Sequence, residues 1–298
     1  MQNIHLIAIA LSSLCAFALP AQASLDKPLL EKELQKIEKT SGGSLGVGAY
    51  DVKTGDSFYL HRDTPFQMQS VGKLPIAIAV LQQVDSGKLS LDAPIKLSKQ
   101  DVLAIRNSSV PDKMPANTKS CSVQSLLERT ICNSNNGSAD VLTRTVGGIE
   151  AINKVFTDND IEGIRVDRLY QQLTQSGTED KLLDTATPKA ICQLLLKLEE
   201  GKTLSPKSTE TLLSMMHKAI TGVNRIKAGV PAGTKVAHKT GTGPVKSGRG
   251  SANDVAIITK PNGDKVILAV FLSDAPGSSS KRDQVLAAVS RSVLKATN

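Results

Sequence analysis

Residues 251–273 read SANDVAIITKPNGDKVILAVFLS, two apolar runs joined by Pro261-Asn262-Gly263-Asp264. Runs of this length and composition meeting at such a turn predict an antiparallel hairpin. Upstream, TKVAHKTG (234–241) predicts a further strand after the break at Pro231-Ala232-Gly233, and downstream KRDQVLAAVSRSVLKA (281–296) has helical spacing. The other end of the chain mirrors this. LLEKELQKIEK (29–39) puts Leu29, Leu30, Leu34 and Ile37 on one helical face, and Gly42-Gly43 stops it. SLGVGAYDV (44–52) and DSFYLH (56–61) then predict two strands about Lys53-Thr54-Gly55-Asp56. From Gln69 to about Ile220 the patterns are helical with polar loops. Strands at both ends around a helical block predict an α+β fold: a five-stranded antiparallel sheet flanked by terminal helices, with a large all-α insertion. The expected division is a sheet domain from 24–66 and 225–298, with an all-α domain at 67–224 between them.

The chain opens MQNIHLIAIALSSLCAFALPAQAS, an apolar run followed by Ala21-Gln22-Ala23. That layout predicts a secretory signal peptide over residues 1–23, although its first residues carry no Lys or Arg. The run is too short to span a bilayer, so the expectation is a periplasmic protein with no membrane anchor. The net charge of +8 lies wholly beyond the leader and is scattered rather than blocked. With no Trp, three Tyr and five Phe, stacking platforms for nucleic acid are scarce. A monomer with a basic, solvated surface is expected. Cleavage removes Cys15 and leaves Cys121, Cys132 and Cys192, an odd number for an oxidising compartment. Cys121 and Cys132 bracket a predicted helix that would hold them ~16 Å apart, too far for a disulfide. Free thiols are therefore expected, and the spacing matches no zinc motif. His61, His217 and His238 have no paired ligand spacing either, and His238 points to the sheet face opposite Lys239.

Chemistry concentrates in three short motifs. In Gln69-Ser70-Val71-Gly72-Lys73, Ser70 and Lys73 are three residues apart at the start of an apolar helix. The amine can then take the hydroxyl's proton, while the helix N-terminus offers free N–H groups to an oxyanion. The same Ser-x-x-Lys spacing recurs at Ser24–Lys27, Ser278–Lys281 and Ser292–Lys295, none of which opens a long apolar helix. Lys239-Thr240-Gly241 ends an alternating strand, with Lys239 and Gly241 on one face. Lys53-Thr54-Gly55, by contrast, belongs to a hairpin turn. Ser134-Asn135-Asn136 follows the helix bearing Cys132 and offers a hydroxyl and an amide; Ser251-Ala252-Asn253 has the same bare form.

In this order and on these elements, the three motifs resemble the class A serine β-lactamases and their penicillin-binding relatives, over essentially the whole chain beyond the leader. The resemblance implies Ser70 as nucleophile, Lys73 as the activating amine and Ser134 as the proton shuttle to the leaving nitrogen. It implies that Asn136 contacts the substrate's side-chain amide, that Lys239 and Thr240 bind its carboxylate, and that the N–H groups of Ser70 and Thr242 form the oxyanion hole. An arginine from either of two places in the family completes carboxylate binding, and this chain fills both, with Arg225 and Arg249. Asn135 stands where the family usually has Asp, so the local hydrogen-bond network must differ.

IRVDRLYQQLT (164–174) departs further. The family's Ω-loop reads roughly Arg-x-Asp-Arg-x-Glu-x-x-Leu-Asn. Here Arg165, Asp167, Arg168 and Leu173 match, and Asp184 is the expected salt-bridge partner of Arg168 across the neck of the loop, about 165–184. Tyr170 stands in place of the glutamate that activates the deacylating water, and Thr174 in place of the asparagine. A phenol of ordinary pKa near ~10 is a poor base at neutral pH. Lys73 and Lys239 nearby would lower it, which keeps Tyr170 among the catalytic candidates. Neutral Lys73 serving both half-reactions, a water positioned by Gln171 or Gln172, and a metal-generated hydroxide are the other routes; no cofactor is required, and a metal is left open. The leading expectation is a β-lactam hydrolase with an atypical second step. The alternatives are a covalent β-lactam sensor that turns over little, or an esterase or peptidase on cell-wall-derived amides.

Overall fold

Near the start of the described residues, Asp26 accepts a hydrogen bond from the Leu29 N–H at 3.1 Å, which caps α1 (Lys27–Ser41). Gly42, at φ 68°, ends that helix in a conformation open to glycine. β1 (Ser44–Asp51) and β2 (Ser57–Leu60) follow as a hairpin. The helical block then runs through β3 (Phe66–Gln67), a 3-10 turn (Gln69–Gly72), α2 (Lys73–Asp85), β4 (Pro94–Lys96), α3 (Lys99–Arg106) and β5 (Ser120–Ser122). It continues with α4 (Val123–Cys132), α5 (Asn136–Thr145), α6 (Ile149–Thr157), a second 3-10 turn (Tyr170–Thr174), β6 (Thr185–Ala186), α7 (Pro188–Glu199) and α8 (Pro206–His217). The short α9 (Ile226–Gly229) leads back into β7 (Lys235–Thr242), β8 (Arg249–Thr259), β9 (Lys265–Pro276) and α10 (Ser279–Ala296). This computed structural model describes residues 25–174 and 182–297; the leader expected over residues 1–23 lies outside them.

The five long strands form one antiparallel sheet in the order β2-β1-β9-β8-β7. The expected α+β architecture is thus present, and the unbroken apolar run of β9 has a physical cause. Val266, Leu268, Val270 and Leu272 face one side of the sheet and pack with Leu30, Leu34, Leu286 and Val293 of the terminal helices. Ile267, Ala269 and Phe271 face the other side and join the core of the helical block. A central strand covered on both faces has no solvent side to make polar. Each such Val, Leu, Ile or Phe side chain contributes about 1.5–3 kcal/mol on burial. Gly46 of β1 lets the two layers close, since a Cβ there would come within 2.3 Å of the Phe66 ring.

The helices match the apolar runs, except for α3 and the four-residue α9. α3 is eight residues long and buries just Val102 and Ile105, so its periodicity is faint. Its legible sign is a capping box, in which the Ser98 side chain accepts from the Asp101 N–H and Asp101 accepts from the Ser98 N–H. Two short pairings then fix loops. β3 pairs with β6 through Phe66↔Ala186, bringing the Ω-loop's end beside the residues that precede Ser70. β7 is an edge of the sheet and runs against the 3-10 turn that carries Ser70.

Candidate active site

Ser70 does not open an α-helix directly. Gln69 takes a positive φ of 53°, Gln69–Gly72 wind as a 3-10 turn, and the α-helix proper starts at Lys73. Tethers hold this approach: Asn253 Nδ2 donates to the carbonyls of Gln67 (2.8 Å) and Met68 (3.2 Å), and the Met68 N–H donates to the Asp184 carbonyl (2.8 Å). From the sheet side, a Cβ on Gly241 would lie 2.4 Å from the Met68 carbonyl oxygen and 3.2 Å from the Ser70 nitrogen. Gly241 is thus needed for β7 to lie along the turn. Beyond it, Leu74–Leu81 are all buried, which seats α2 as the central helix of its block.

Four functional atoms then meet. Lys73 Nζ lies 2.6 Å from Ser70 Oγ, 2.7 Å from Asn136 Oδ1 and 3.5 Å from Ser134 Oγ. Lys239 Nζ donates to Ser134 Oγ at 3.0 Å and to the Thr240 carbonyl at 3.0 Å. Both lysines are fully buried. Burial, helped by the charge of Lys239, holds Lys73 well below the usual ammonium range against the pull of Asp140. Burial also pushes Lys239 down to about 7, with Arg225 acting in the same sense and Asp254 opposing. Ser134 is held at φ 57°, a conformation that costs a non-glycine residue of order 1 kcal/mol. Asn135 anchors it: its Oδ1 accepts from the Ser138 N–H (2.9 Å) as the N-cap of α5, and its Nδ2 donates to the Ile105 carbonyl (2.8 Å). A carboxylate at this position has no donor for Ile105, so the amide defines the local network.

The two candidate arginines separate. Arg225 is buried beside the end of β7, donating to the carbonyls of Gly241 (2.8 Å) and Asn253 (2.9 Å) and to Thr242 Oγ1 (2.7 Å), while Asp283 takes its Nε (2.7 Å). Arg249 does not join the cluster. Its Nε meets Asp274 (2.9 Å) and its Nη2 donates to the Gly42 carbonyl (2.8 Å), at the far end of α1. A register shift between Gly250 and Ala252 breaks the alternation that equal spacing assumes, so counting residues from Lys239 misplaces this side chain. His238, on the sheet face away from Lys239, pairs with Asp254 at 3.0 Å, both fully buried.

In the Ω-loop, Arg168 Nε lies 2.7 Å from Asp184 Oδ2, and the Asp167 and Asp184 N–H groups each donate to the other's carboxylate. Tyr170 packs its ring 3.9 Å from Lys73 Nζ and its hydroxyl donates to the Gln69 carbonyl (3.2 Å). Its pKa departs from the sequence expectation. Loss of water around the phenol, with Asp184 and Asp140 acting in the same sense, pushes it well above the ordinary value rather than below. That direction counts against the phenol as a general base. The side chains of Leu173 and Thr174 lie outside the described residues. Among the described residues no group of three or more His, Cys, Asp or Glu is arranged to hold a metal, and no helix is long and apolar enough to cross a membrane. Cys121, Cys132 and Cys192 are free thiols.

Three site residues belong to none of the motifs. Asn253 tethers the Ser70 turn, Thr221 Oγ1 meets Thr240 Oγ1 at 2.7 Å, and Asp140 accepts the N–H groups of Tyr170 (2.6 Å) and Gln171 (2.9 Å). Asn253 had a faint sign in the sequence, as a polar residue within an otherwise apolar strand. Asp140, four residues past Asn136 and so on the same helical face, had a periodic one. Thr221 had none.

Comparison with known proteins shows the chain's family and fold. A model of the β-lactamase enzyme family matches residues 28–297. β-Lactamase VEB-1 of Pseudomonas aeruginosa is 30% identical over 98% of this chain and 97% of its own. Among solved structures, a β-lactamase from Chitinophaga pinensis is 32% identical with a TM-score of 0.85, covering 90% of this chain and 99% of its own. A reconstructed ancestral class A β-lactamase is 35% identical with a TM-score of 0.81 over the same shares.

Proposed function

The chain belongs to the class A β-lactamase family, enzymes that open β-lactam rings, and on that premise we propose that Ser70 is its nucleophile and that its second half-reaction runs without an Ω-loop carboxylate. The observation that carries this is the unbroken run Ser70 Oγ, Lys73 Nζ, Ser134 Oγ, Lys239 Nζ, with steps of 2.6, 3.5 and 3.0 Å. Neutral Lys73 takes the Ser70 proton as Oγ attacks the lactam carbonyl. Oxyanion charge falls on the N–H groups of Ser70 and Thr242. As the C–N bond breaks, Lys73 passes its proton to Ser134, whose own proton goes to the leaving nitrogen. Lys73 is then neutral again and free to deprotonate the hydrolytic water, later returning that proton to Ser70 Oγ. The substrate carboxylate lies against Lys239, Thr240, Thr242 and Arg225, and Asn136 meets the side-chain amide. Arg168 and Asp184 hold the loop over the site.

The cleft lies where the sheet-bearing segments 24–66 and 225–298 meet the helical segment 67–224, which we take as the protein's two domains. We place its action in the periplasm, on the leader pattern of residues 1–23, as a single chain working without metal or other cofactor. Intact-mass spectrometry after mixing with a penicillin or cephalosporin tests the reading. An adduct of one β-lactam mass is expected on wild type, decaying more slowly than it forms, and none on Ser70→Ala. A Ser70→Ala protein that still forms the adduct would sink the assignment, and a wild-type adduct that never decays would sink the turnover step.

A pH dependence follows from Lys239. Below about 7 it carries the charge that attracts the substrate carboxylate; above that its ionised fraction falls tenfold per unit. The KM for carboxylate-bearing β-lactams is therefore expected to rise roughly fifteenfold between pH 7 and 8.5. A matching carboxylate ester should show no such rise. Flat KM values for the acid across that range would count against Lys239 as the carboxylate's partner.

A further inference from the structure

In the reaction above, Lys73 takes up a proton twice, from Ser70 and later from water, and each time a fully buried amine becomes an ammonium ion. Among the described residues its hydrogen-bonding partners are neutral: Ser70 Oγ, Ser134 Oγ and the Asn136 amide oxygen. The titratable groups that act on it are Lys239 of β7, which opposes the charge, and Asp140 of α5, which favours it. The group lying directly over the amine is aromatic. Lys73 Nζ sits over the Tyr170 ring, 3.9 Å from its centroid. The face of such a ring is the negative part of its quadrupole, and its pull on a cation is strongest where water is excluded.

The ring is held in this place from three sides. Asp140 clamps the loop backbone by accepting the N–H groups of Tyr170 (2.6 Å) and Gln171 (2.9 Å). The Tyr170 hydroxyl donates to the Gln69 carbonyl at 3.2 Å, so its oxygen is committed to the Ser70 turn and the ring itself meets the amine. Gly72 leaves room for this, because a Cβ there would lie 3.0 Å from the hydroxyl oxygen.

We propose that the face of the Tyr170 ring stabilises the transient ammonium of Lys73 by cation–π attraction, so that Tyr170 serves the reaction through its ring and not through its hydroxyl. In acylation the Ser70 O–H bond breaks, an N–H bond forms on Lys73 as Oγ attacks the lactam carbonyl, and the ring holds that ammonium until the proton passes to Ser134. In the second half-reaction it does the same for the proton taken from water. This rests on the reading of Lys73 as the base.

The test keeps the shape of residue 170 nearly constant and changes its electrons. Phenylalanine and its mono-, di- and trifluorinated forms are placed at position 170, and the pH profile of single-turnover acylation is read with a chromogenic cephalosporin. Each fluorine draws electron density from the ring face, so the ammonium becomes less stable and neutral Lys73 persists to lower pH. From Tyr170→Phe to the trifluorinated ring, the ascending limb is expected to move in even steps by about one unit towards acid, while the plateau falls about tenfold. Tyr170→Phe, which keeps the face, should leave the limb at the wild-type position. A limb and plateau that stay fixed along the series would show that the ring only packs, and would overturn the proposal. A full shift already present in Tyr170→Phe would overturn it too, since the hydroxyl would then be the operative group. Lys73→Met separates this from the reading on which it rests. If the limb survives in Lys73→Met, the assignment of Lys73 as base has failed; if it is lost there yet unmoved across the fluorinated rings, the role of the ring alone has failed.

Discussion

Lys73→Met is expected to acylate about 10³-fold more slowly than wild type, within the range that a positioned base contributes, while unfolding at the same temperature or higher. The activity term follows from the 2.6 Å approach of the amine to Ser70 Oγ and from the depressed pKa that leaves it able to accept a proton. The stability term has the opposite sign. Lys73 is fully buried with a second cation, Lys239, acting on it, so folding must strip the amine of water and hold it neutral, at a cost to stability. Methionine has a similar length and no charge to desolvate, and replacing buried charge with apolar bulk is often neutral or stabilising. Stopped-flow acylation and thermal unfolding on one protein preparation check both halves. A variant that acylates at the wild-type rate removes Lys73 from the mechanism. One that is severely destabilised shows that the contacts with Asn136 and Ser134 outweigh desolvation.

Tyr170→Glu is expected to speed decay of the acyl-enzyme by about a hundredfold, the lower end of what a general base contributes, while leaving its formation within a few-fold of wild type. The replacement has somewhere to put a water. Behind Tyr170 lies a cavity of about 20 Å³ lined by residues that include Gln69, Gly72 and Arg168, close to the volume of one water. Removing the phenol extends that space towards Lys73. The Asp140 clamp on the backbone of residues 170 and 171 does not depend on the side chain and would present the new carboxylate in the same place. Time-resolved intact mass reads formation and decay separately. An unchanged decay would mean that Lys73 alone already activates the water at full efficiency, and that Tyr170 is no impediment.

The acylation machinery was legible because its residues lie close together in sequence or on regular elements. Ser70 and Lys73 share a face by helical geometry, and Lys239 is placed by strand alternation. The arginine was not legible. The resemblance offers both Arg225 and Arg249, and the bulge at Gly250/Ala252 together with the carbonyls of Gly241 and Asn253 separates them. α3 was missed because a short, half-exposed helix leaves little periodic trace beyond its cap. The expectation for Tyr170 had the wrong sign for a related reason. Charge proximity to two lysines can be guessed from motifs, whereas desolvation depends on what covers the ring.

By itself, then, the amino-acid order determined the strand–helix–strand plan, the family resemblance and the absence of a carboxylate at position 170, since these depend on local periodicity and residue identity. Tertiary structure decided which arginine faces the end of β7, that Tyr170 packs its ring against Lys73, and that Asp140 holds the Tyr170–Gln171 backbone. Those outcomes arise from burial and from contacts between segments 16 to 30 residues apart in the chain. Solvent exclusion and register across such separations are properties of the packed molecule.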